Sequence, residues 1–146
     1  MGFCIFNNVA IAARHARDLL GVKRVAIVDY DVHHGNGTQE AFYGDGTVLF
    51  VSVHEDSLYP LHSGLAEETG EGEGESFTVN CPLPPGSGVG AYLAVLDRVV
   101  DPCLEAFEPE LILVSSGFDA GALDPLGHMM LTSTFFGTAA KRLVDR

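Results

Sequence analysis

The chain has 146 residues, 47% hydrophobic and 19% charged, enough apolar sequence for one domain with a buried core. A formal net charge of −12 argues against a nucleic-acid backbone as a direct partner, and no apolar run is long enough to span a membrane. The charge is compatible with a cationic substrate, but solubility is the favoured explanation. Three scattered cysteines without a CxxC pair predict reduced, buried thiols, and the absence of a leader-like start favours the cytoplasm.

Apolar runs rich in β-branched residues alternate along the chain with stretches of helical periodicity. In order, the patterns predict helix 5–20, strand 23–30, helix 38–42, strand 47–53, a polar loop over 55–76, an extended segment over 77–79, helix 89–107, strand 111–116 and helix 132–144. The third helix must bend or start again at Pro102. The sum predicts an α/β fold with at least three parallel strands and helices on both faces.

The patterns at the two ends of the chain predict an incomplete domain. Three strands make a small sheet, and the sequence begins and ends on helices without a flanking edge strand. We therefore expect residues 1–146 to form the middle of a larger domain, incomplete at both ends. Taken alone, such a piece would expose apolar surface, so we expect it to aggregate or to assemble as a homo-oligomer.

Metal-ligand side chains follow two of the predicted strands. Asp31 and His33 come directly after strand 23–30, and Asp119 follows strand 111–116. Open α/β sheets bind ligands outside the carboxyl ends of their strands, so these three side chains are expected to meet. Three protein ligands leave a fourth position for water, which is the pattern of a catalytic rather than a structural zinc site.

The run VDYDVHHGNGTQ, residues 28–39, resembles the metal-binding segment of zinc-dependent histone deacetylases. It is most similar to the class II enzymes and their bacterial relatives, which include acetylpolyamine amidohydrolases. Shorter matches follow at suitable spacing: Gly2-Phe3-Cys4, Ser52-Val53-His54, Leu58-Tyr59-Pro60, Glu68-Thr69-Gly70-Glu71-Gly72 and Ser116-Gly117-Phe118-Asp119-Ala120. The resemblance covers the whole chain. It implies the arginase-deacetylase fold, a three-layer sandwich around an eight-stranded parallel sheet.

The resemblance also implies roles for individual residues. It assigns zinc to Asp31, His33 and Asp119. It assigns a narrow tunnel for an acyl-lysine stem to Gly2, Phe3 and Tyr59, although outside this motif the two aromatics would be interpreted as core residues. Asp29 and Asn36 resemble the residues that orient two catalytic histidines. A potassium site built mainly from backbone carbonyls matches Asp29, Asp31, His33, Ser52 and Val53. A second monovalent-cation site matches, more loosely, Phe42, Asp45, Val48 and Phe77.

Two catalytic parts of the family have no counterpart in residues 1–146. The tandem histidines lie upstream of Gly2 in the family, and the Gly-Gly-Tyr segment with the carbonyl-polarising tyrosine lies downstream of Arg146. His34 should point away from His33, because neighbours on an extended segment face opposite sides. His54 is expected to be a satisfied structural histidine near the site. The chain alone is therefore expected to show essentially no turnover.

For the complete domain, the resemblance implies hydrolysis of an acyl amide, either acetyl-lysine or an acetylpolyamine, with metal-bound water as the nucleophile. A di-manganese hydrolase of the arginase type is a weaker alternative, because its additional carboxylates would have to stand at Gly35 and Gly121. A second alternative is a non-catalytic fragment or a binder of acylated ligands. The acidic residues of the 55–76 loop are predicted to be solvated, with steering of cationic ligands as the minority interpretation.

Overall fold

A computed structural model describes residues 4–146, so the tunnel residues Gly2 and Phe3 lie outside the described part. The helices are α1 (Asn8–Leu20), α2 (Asn36–Phe42), α3 (Val89–Val95), α4 (Asp101–Phe107) and α5 (Ser133–Val144). The strands are β1 (Val25–Asp29), β2 (Val48–Glu55), β3 (Thr78–Leu83) and β4 (Leu111–Ser115). A π-helical turn, Leu96–Val100, joins α3 to α4, and a short 3₁₀ turn, Gly72–Gly74, lies in the loop before β3.

The four strands form one parallel sheet in the order β3-β2-β1-β4. Asp29, the last residue of β1, is level with Ser52 of β2 on one side and with Ser115 of β4 on the other. The carboxyl ends of the two strands that precede the metal-ligand residues are therefore adjacent. This register brings the segments after β1 and β4 to the same edge of the sheet.

Helices cover both faces of the sheet. Along β1, Ala26 and Val28 belong to the apolar cluster shared with α3, α4 and α5, whereas Val25 and Ile27 belong to the cluster shared with α1 and α2. This alternation follows from the two-residue period of a strand. The predicted three-layer sandwich is confirmed, and all five residues of β1 are buried.

Several element boundaries differ from the sequence prediction for local reasons. Helix α1 begins at Asn8 rather than at residue 5, because the Asn7 side chain accepts the Ala10 N–H at 3.0 Å and caps the helix. The extended segment is a six-residue edge strand, β3, where Pro82 is tolerated because one side needs no donor. The third predicted helix changes to a π turn, and α4 restarts at Asp101 with Pro102 in its first turn.

The described part of the chain contains no helix long and apolar enough to cross a membrane. Its cysteines are all free, but the prediction of buried thiols is wrong for Cys4, which is exposed, whereas Cys81 and Cys103 are partly buried. Burial raises the pKa of Cys81 to about 11, so this thiol stays protonated near neutral pH.

Candidate metal centre

Asp31, His33 and Asp119 converge at the carboxyl edge of the sheet. One potential ligand atom from each lies within 4.8 Å of the other two, and no other group of three such residues meets this criterion in residues 4–146. The His33 Nδ1 atom lies 3.0 Å from Asp31 Oδ1 and 2.9 Å from Asp119 Oδ2. A ring nitrogen carries at most one proton and can donate it to only one carboxylate at a time. The approach of Nδ1 to two carboxylate oxygens therefore places three potential metal-ligand atoms around a common point.

Backbone donors fix the orientation of both carboxylates. The His33 N–H donates to Asp31 Oδ1 at 2.7 Å, and the Val32 N–H donates to Asp119 Oδ1 at 2.9 Å. The second of these bonds joins the loop after β1 to the loop after β4, 87 residues apart in sequence. Because one oxygen of Asp119 is held by the backbone, its other oxygen faces His33.

Two glycines allow the backbone to approach the carboxylates closely. A Cβ atom at Gly117 would stand 2.3 Å from Asp31 Oδ2, and one at Gly35 would stand 2.6 Å from Asp29 Oδ2. Any side chain at either position would therefore displace a site carboxylate. The sequence shows both glycines beside the site residues, but this steric requirement becomes visible only in three dimensions.

Burial and mutual repulsion dominate the electrostatics of the site. Asp29 is buried at the end of β1, and desolvation, reinforced by the Asp31 charge, raises its pKa to about 8. Desolvation and the neighbouring Asp119 carboxylate also raise the pKa of Asp31. Carboxylates crowded in this way attract a cation, and two carboxylates with one imidazole nitrogen suit a divalent metal such as zinc. The residues present therefore fit a metal ion.

An open cavity of about 870 Å³ lies over this group. Its walls include Asp29 and Asn36, the two predicted orienting residues, and Tyr59, the described residue of the predicted tunnel. Tyr59 is 49% exposed, so it forms part of the rim rather than the core. Apolar side chains also line the cavity: Ile5, Phe6, Val9, Pro60 and Leu126.

His34 and His54 are buried beside the site and use both ring nitrogens. His34 Nε2 lies 3.0 Å from Gln39 Oε1, an acceptor, so Nε2 carries the proton and Nδ1 accepts from the Ser63 hydroxyl at 2.5 Å. His54 Nε2 donates to the Gly64 carbonyl at 3.0 Å, and its Nδ1 accepts from the Ser52 hydroxyl at 2.9 Å. Neither ring has an atom left for proton transfer to a substrate, in agreement with their predicted structural roles.

Two other loops carry paired side chains that the sequence prediction did not anticipate. His128 donates from its backbone N–H and from Nδ1 to the two oxygens of Glu55, each at 2.7 Å, which anchors the loop after Asp119 to the end of β2. Within the acidic loop, the prediction of solvated glutamates is wrong for Glu68. One of its oxygens accepts from Gln39 Nε2 at 2.6 Å and from the Gly64 N–H at 3.1 Å.

The residues of the two predicted monovalent-cation sites lie in different surroundings. For the first, Asp29 and Ser52 are register partners, and the Asp31 N–H donates to Asp29 Oδ1 at 3.1 Å. For the second, the Asp45 carboxylate binds the guanidinium groups of Arg14 and Arg17, both at 2.8 Å. Two cations already neutralise this carboxylate, so only backbone carbonyls could serve a further cation there.

The whole chain, residues 1–146, matches the model of the histone deacetylase domain. It belongs to the histone deacetylase family. It is 49% identical over 141 residues to histone deacetylase 14, chloroplastic, of Arabidopsis thaliana, covering 97% of this chain and 33% of that protein. It is 50% identical over 136 residues to a histone deacetylase-like amidohydrolase of Pseudomonas aeruginosa, covering 93% of this chain and 36% of that protein.

Solved structures agree with this assignment. An acetylpolyamine aminohydrolase from Burkholderia pseudomallei superposes with a TM-score of 0.91 at 40% identity, covering 97% of this chain and 41% of that chain. The histone deacetylase Clr3 also gives a TM-score of 0.91, at 44% identity, covering 97% of this chain and 25% of that chain. The arginase-deacetylase fold is therefore confirmed. The chain spans about a third of the length of the curated relatives it matches.

Proposed function

We propose that the whole protein containing this chain hydrolyses acyl amides, removing an acyl group from acetyl-lysine or from an acetylpolyamine. The observation that carries the proposal is the convergence of Asp31, His33 and Asp119 under an open cavity, in a chain of the histone deacetylase family. Residues 1–146 would form the central part of a single deacetylase domain. The histidine pair and the Gly-Gly-Tyr segment would then come from neighbouring parts of the whole protein.

In this proposal Asp31, His33 and Asp119 hold a zinc ion. Zinc in such a site activates water and polarises the acyl carbonyl. Asp29 and Asn36, which line the same cavity, would orient the two catalytic histidines. The carbonyls and side chains at the ends of β1 and β2 would bind potassium beneath the site, and the turn around Phe42 and Val48 would bind a second monovalent cation through backbone oxygens.

The substrate stem would run past Tyr59. A narrow apolar wall suits a methylene chain, since each buried CH₂ is worth roughly 0.8 kcal/mol. The relatives support both substrate classes, because one similar structure is named an acetylpolyamine aminohydrolase and several relatives are named histone deacetylases. The proposed compartment is the cytoplasm, although the Arabidopsis relative is named chloroplastic.

A single-metal site is favoured over a di-manganese site by the space around Gly35. A Cβ atom there would lie 2.6 Å from Asp29 Oδ2 and 3.1 Å from the Phe50 ring. A carboxylate at this position would have no room without displacing Asp29. At Gly121, a Cβ atom would already lie 3.0 Å from the Phe118 carbonyl.

The test is turnover by the full-length protein. An acetyl-lysine peptide and N-acetylputrescine are supplied separately, with the metal removed by a chelator and then restored with zinc. Release of acetate that depends on zinc supports the proposal, and the ratio of kcat/KM for the two substrates identifies the substrate class. Tight binding of the acetylated peptide without release of acetate would favour a non-catalytic binder.

A further inference from the structure

A cluster of buried and half-buried polar residues joins the metal-binding segment to the loop that carries Tyr59. Its members are His34, Gln39, His54, Ser63, Gly64, Glu68 and Asn80. None of these residues belongs to the metal group, and only His34 lines the cavity. Buried polar groups are costly unless they are hydrogen-bonded, and each member of the cluster has at least one hydrogen-bond partner within it.

The hydrogen bonds have a defined direction. His34 Nε2–H and the Asn80 amide both donate to Gln39 Oε1, at 3.0 Å and 2.8 Å. Gln39 in turn donates to Glu68, which also accepts the Gly64 N–H. Because Gln39 accepts at its oxygen and donates from its nitrogen, the amide has one orientation that satisfies every partner. The hydrogen bonds from His34 through Gln39 and Glu68 to Gly64 therefore form a continuous series.

Gly64 is the point where the loop meets both imidazole rings. Its φ is +79°, in the left-handed region that favours glycine. A Cβ atom there would stand 2.5 Å from His54 Nε2 and 2.7 Å from His34 Cγ. The two rings themselves are in contact, with centroids 4.9 Å apart. The loop backbone thus rests directly on the two histidines.

Tyr59 lies four residues before Ser63 in the same loop, and His34 directly follows the metal-group residue His33. The cluster therefore connects the rim of the cavity to its floor through side chains rather than through the sheet. We propose that Gln39 and Glu68 are positioning residues: acting through His34 and Gly64, they set where Tyr59 stands relative to Asp31, His33 and Asp119. This inference rests on the proposed deacylation, in which Tyr59 guides the substrate stem.

Glu68 is the residue to change, because it contacts neither the cavity nor the metal group. In the zinc-loaded full-length protein, Glu68→Ala should lower kcat/KM for an acetyl-lysine peptide by about 10-fold, within the 10²-fold that a 1 Å misplacement can cost. Glu68→Gln keeps an oxygen acceptor and should retain most of the activity. Glu67→Ala is the matched control, because Glu67 is the exposed neighbour on the same loop. Zinc content should stay the same in all three variants.

A double-mutant cycle separates positioning from a general loss of structure. If Glu68 acts through Tyr59, the Tyr59→Ala/Glu68→Ala variant should be no slower than Tyr59→Ala alone. Additive losses, or equal losses from Glu67→Ala and Glu68→Ala, would overturn the inference. Ser63→Ala removes only the hydroxyl bound to His34, and it should show the same non-additivity at a smaller size if Glu68→Ala does not fold.

Amide hydrogen exchange tests the anchoring independently of turnover. Peptides covering residues 59–66 should exchange faster in Glu68→Ala than in the wild type, and at the wild-type rate in Glu67→Ala and Glu68→Gln. Unchanged exchange in Glu68→Ala would overturn the inference even in a fully active enzyme. A wild-type protein without turnover would instead contradict the proposed function, while faster exchange would still support the anchoring of the Tyr59 loop.

Discussion

The segment after β1 and the loop between β2 and β3 reach the same cavity by different means. In the first, the carboxylates of Asp29 and Asp31 accept N–H groups from residues only two positions ahead. In the second, Ser63 and Glu68 bond to residues 29 positions away. The first segment is shaped mainly by its own short-range hydrogen bonds, with the Val32 N–H bond to Asp119 as a long-range addition, whereas the second takes its shape largely from the elements on which it rests. Substitutions in the two regions should therefore affect metal binding, stability and turnover to different extents.

The largest effect is expected from the first region. Asp119→Ala should abolish stoichiometric zinc binding and lower turnover by more than the 10–100-fold typical of losing a residue that only supports a ligand. Zinc bound per protein after dialysis is the direct measurement. Asp18→Ala, on the exposed face of α1, is the control. Full zinc occupancy in Asp119→Ala would refute the assignment of this residue as a ligand.

Crowding of the same region should cost stability as well as metal affinity. Gly117→Ala places a methyl group against Asp31 Oδ2, so we expect a loss of about 3 kcal/mol, the upper end for overpacking, together with weaker zinc binding. Gly137→Ala is the matched control, because no atom lies within 4 Å of its added Cβ in α5. That substitution should stabilise the helix by roughly 0.5–1 kcal/mol. Denaturant unfolding measures both, and equal effects would contradict the close approach at Gly117.

In the loop between β2 and β3, Tyr59→Ala should lower kcat/KM for an acetyl-lysine peptide. The decrease should correspond to about 1–3 kcal/mol of activation free energy, the scale for lost apolar contact in a pocket. Zinc binding should not change, because Tyr59 is not among the converging ligand residues. Leu123→Ala, at a fully exposed position on another loop, should leave kcat/KM at the wild-type value. A kcat/KM that does not move in Tyr59→Ala would count against the tunnel role.

The smallest expected effect is a loss of folding stability in acid at His54, whose ring binds the Gly64 carbonyl of the loop. Burial, with the nearby His34 as a second cause, lowers the pKa of His54 from 6.5 to about 4, whereas Asp56, Glu68 and the Gly64 hydrogen bond act in the opposite direction. The unfolded chain therefore takes up a proton that the native state excludes, so stability present above pH 6.5 falls as the pH drops towards 4. At pH 5.5 the loss should be about 1 kcal/mol.

Unfolding free energies at pH 7.5 and 5.5 test this expectation. The decrease between the two pH values should be smaller by that amount in His54→Gln, which has no ring to protonate, and unchanged in the exposed variant His15→Gln. An identical decrease in the wild type and His54→Gln would mean that His54 carries no part of the acid sensitivity.

The sequence-based prediction succeeded where short-range pattern determines structure. The parallel strands, the two helical layers and the meeting of Asp31, His33 and Asp119 all follow from apolar periodicity and from the position of ligands at strand ends. The loop over 55–76 was predicted only as polar, because hydrogen bonds such as Gln39 to Glu68 depend on which distant elements become neighbours. Pro102 correctly predicted an interruption of the third helix, but the π turn before it has no recognised signal in the sequence.

In the proposed function, Asp31, His33 and Asp119 hold one zinc ion, and this ion makes the full-length protein an amide hydrolase. The most direct measurement titrates metal into the chelator-stripped protein while acetate release from an acetyl-lysine peptide is followed. One equivalent of Zn²⁺ should restore full turnover in the wild type and none in Asp119→Ala. Restoration that requires two equivalents of Mn²⁺, or turnover that persists in the stripped protein, would contradict the claim.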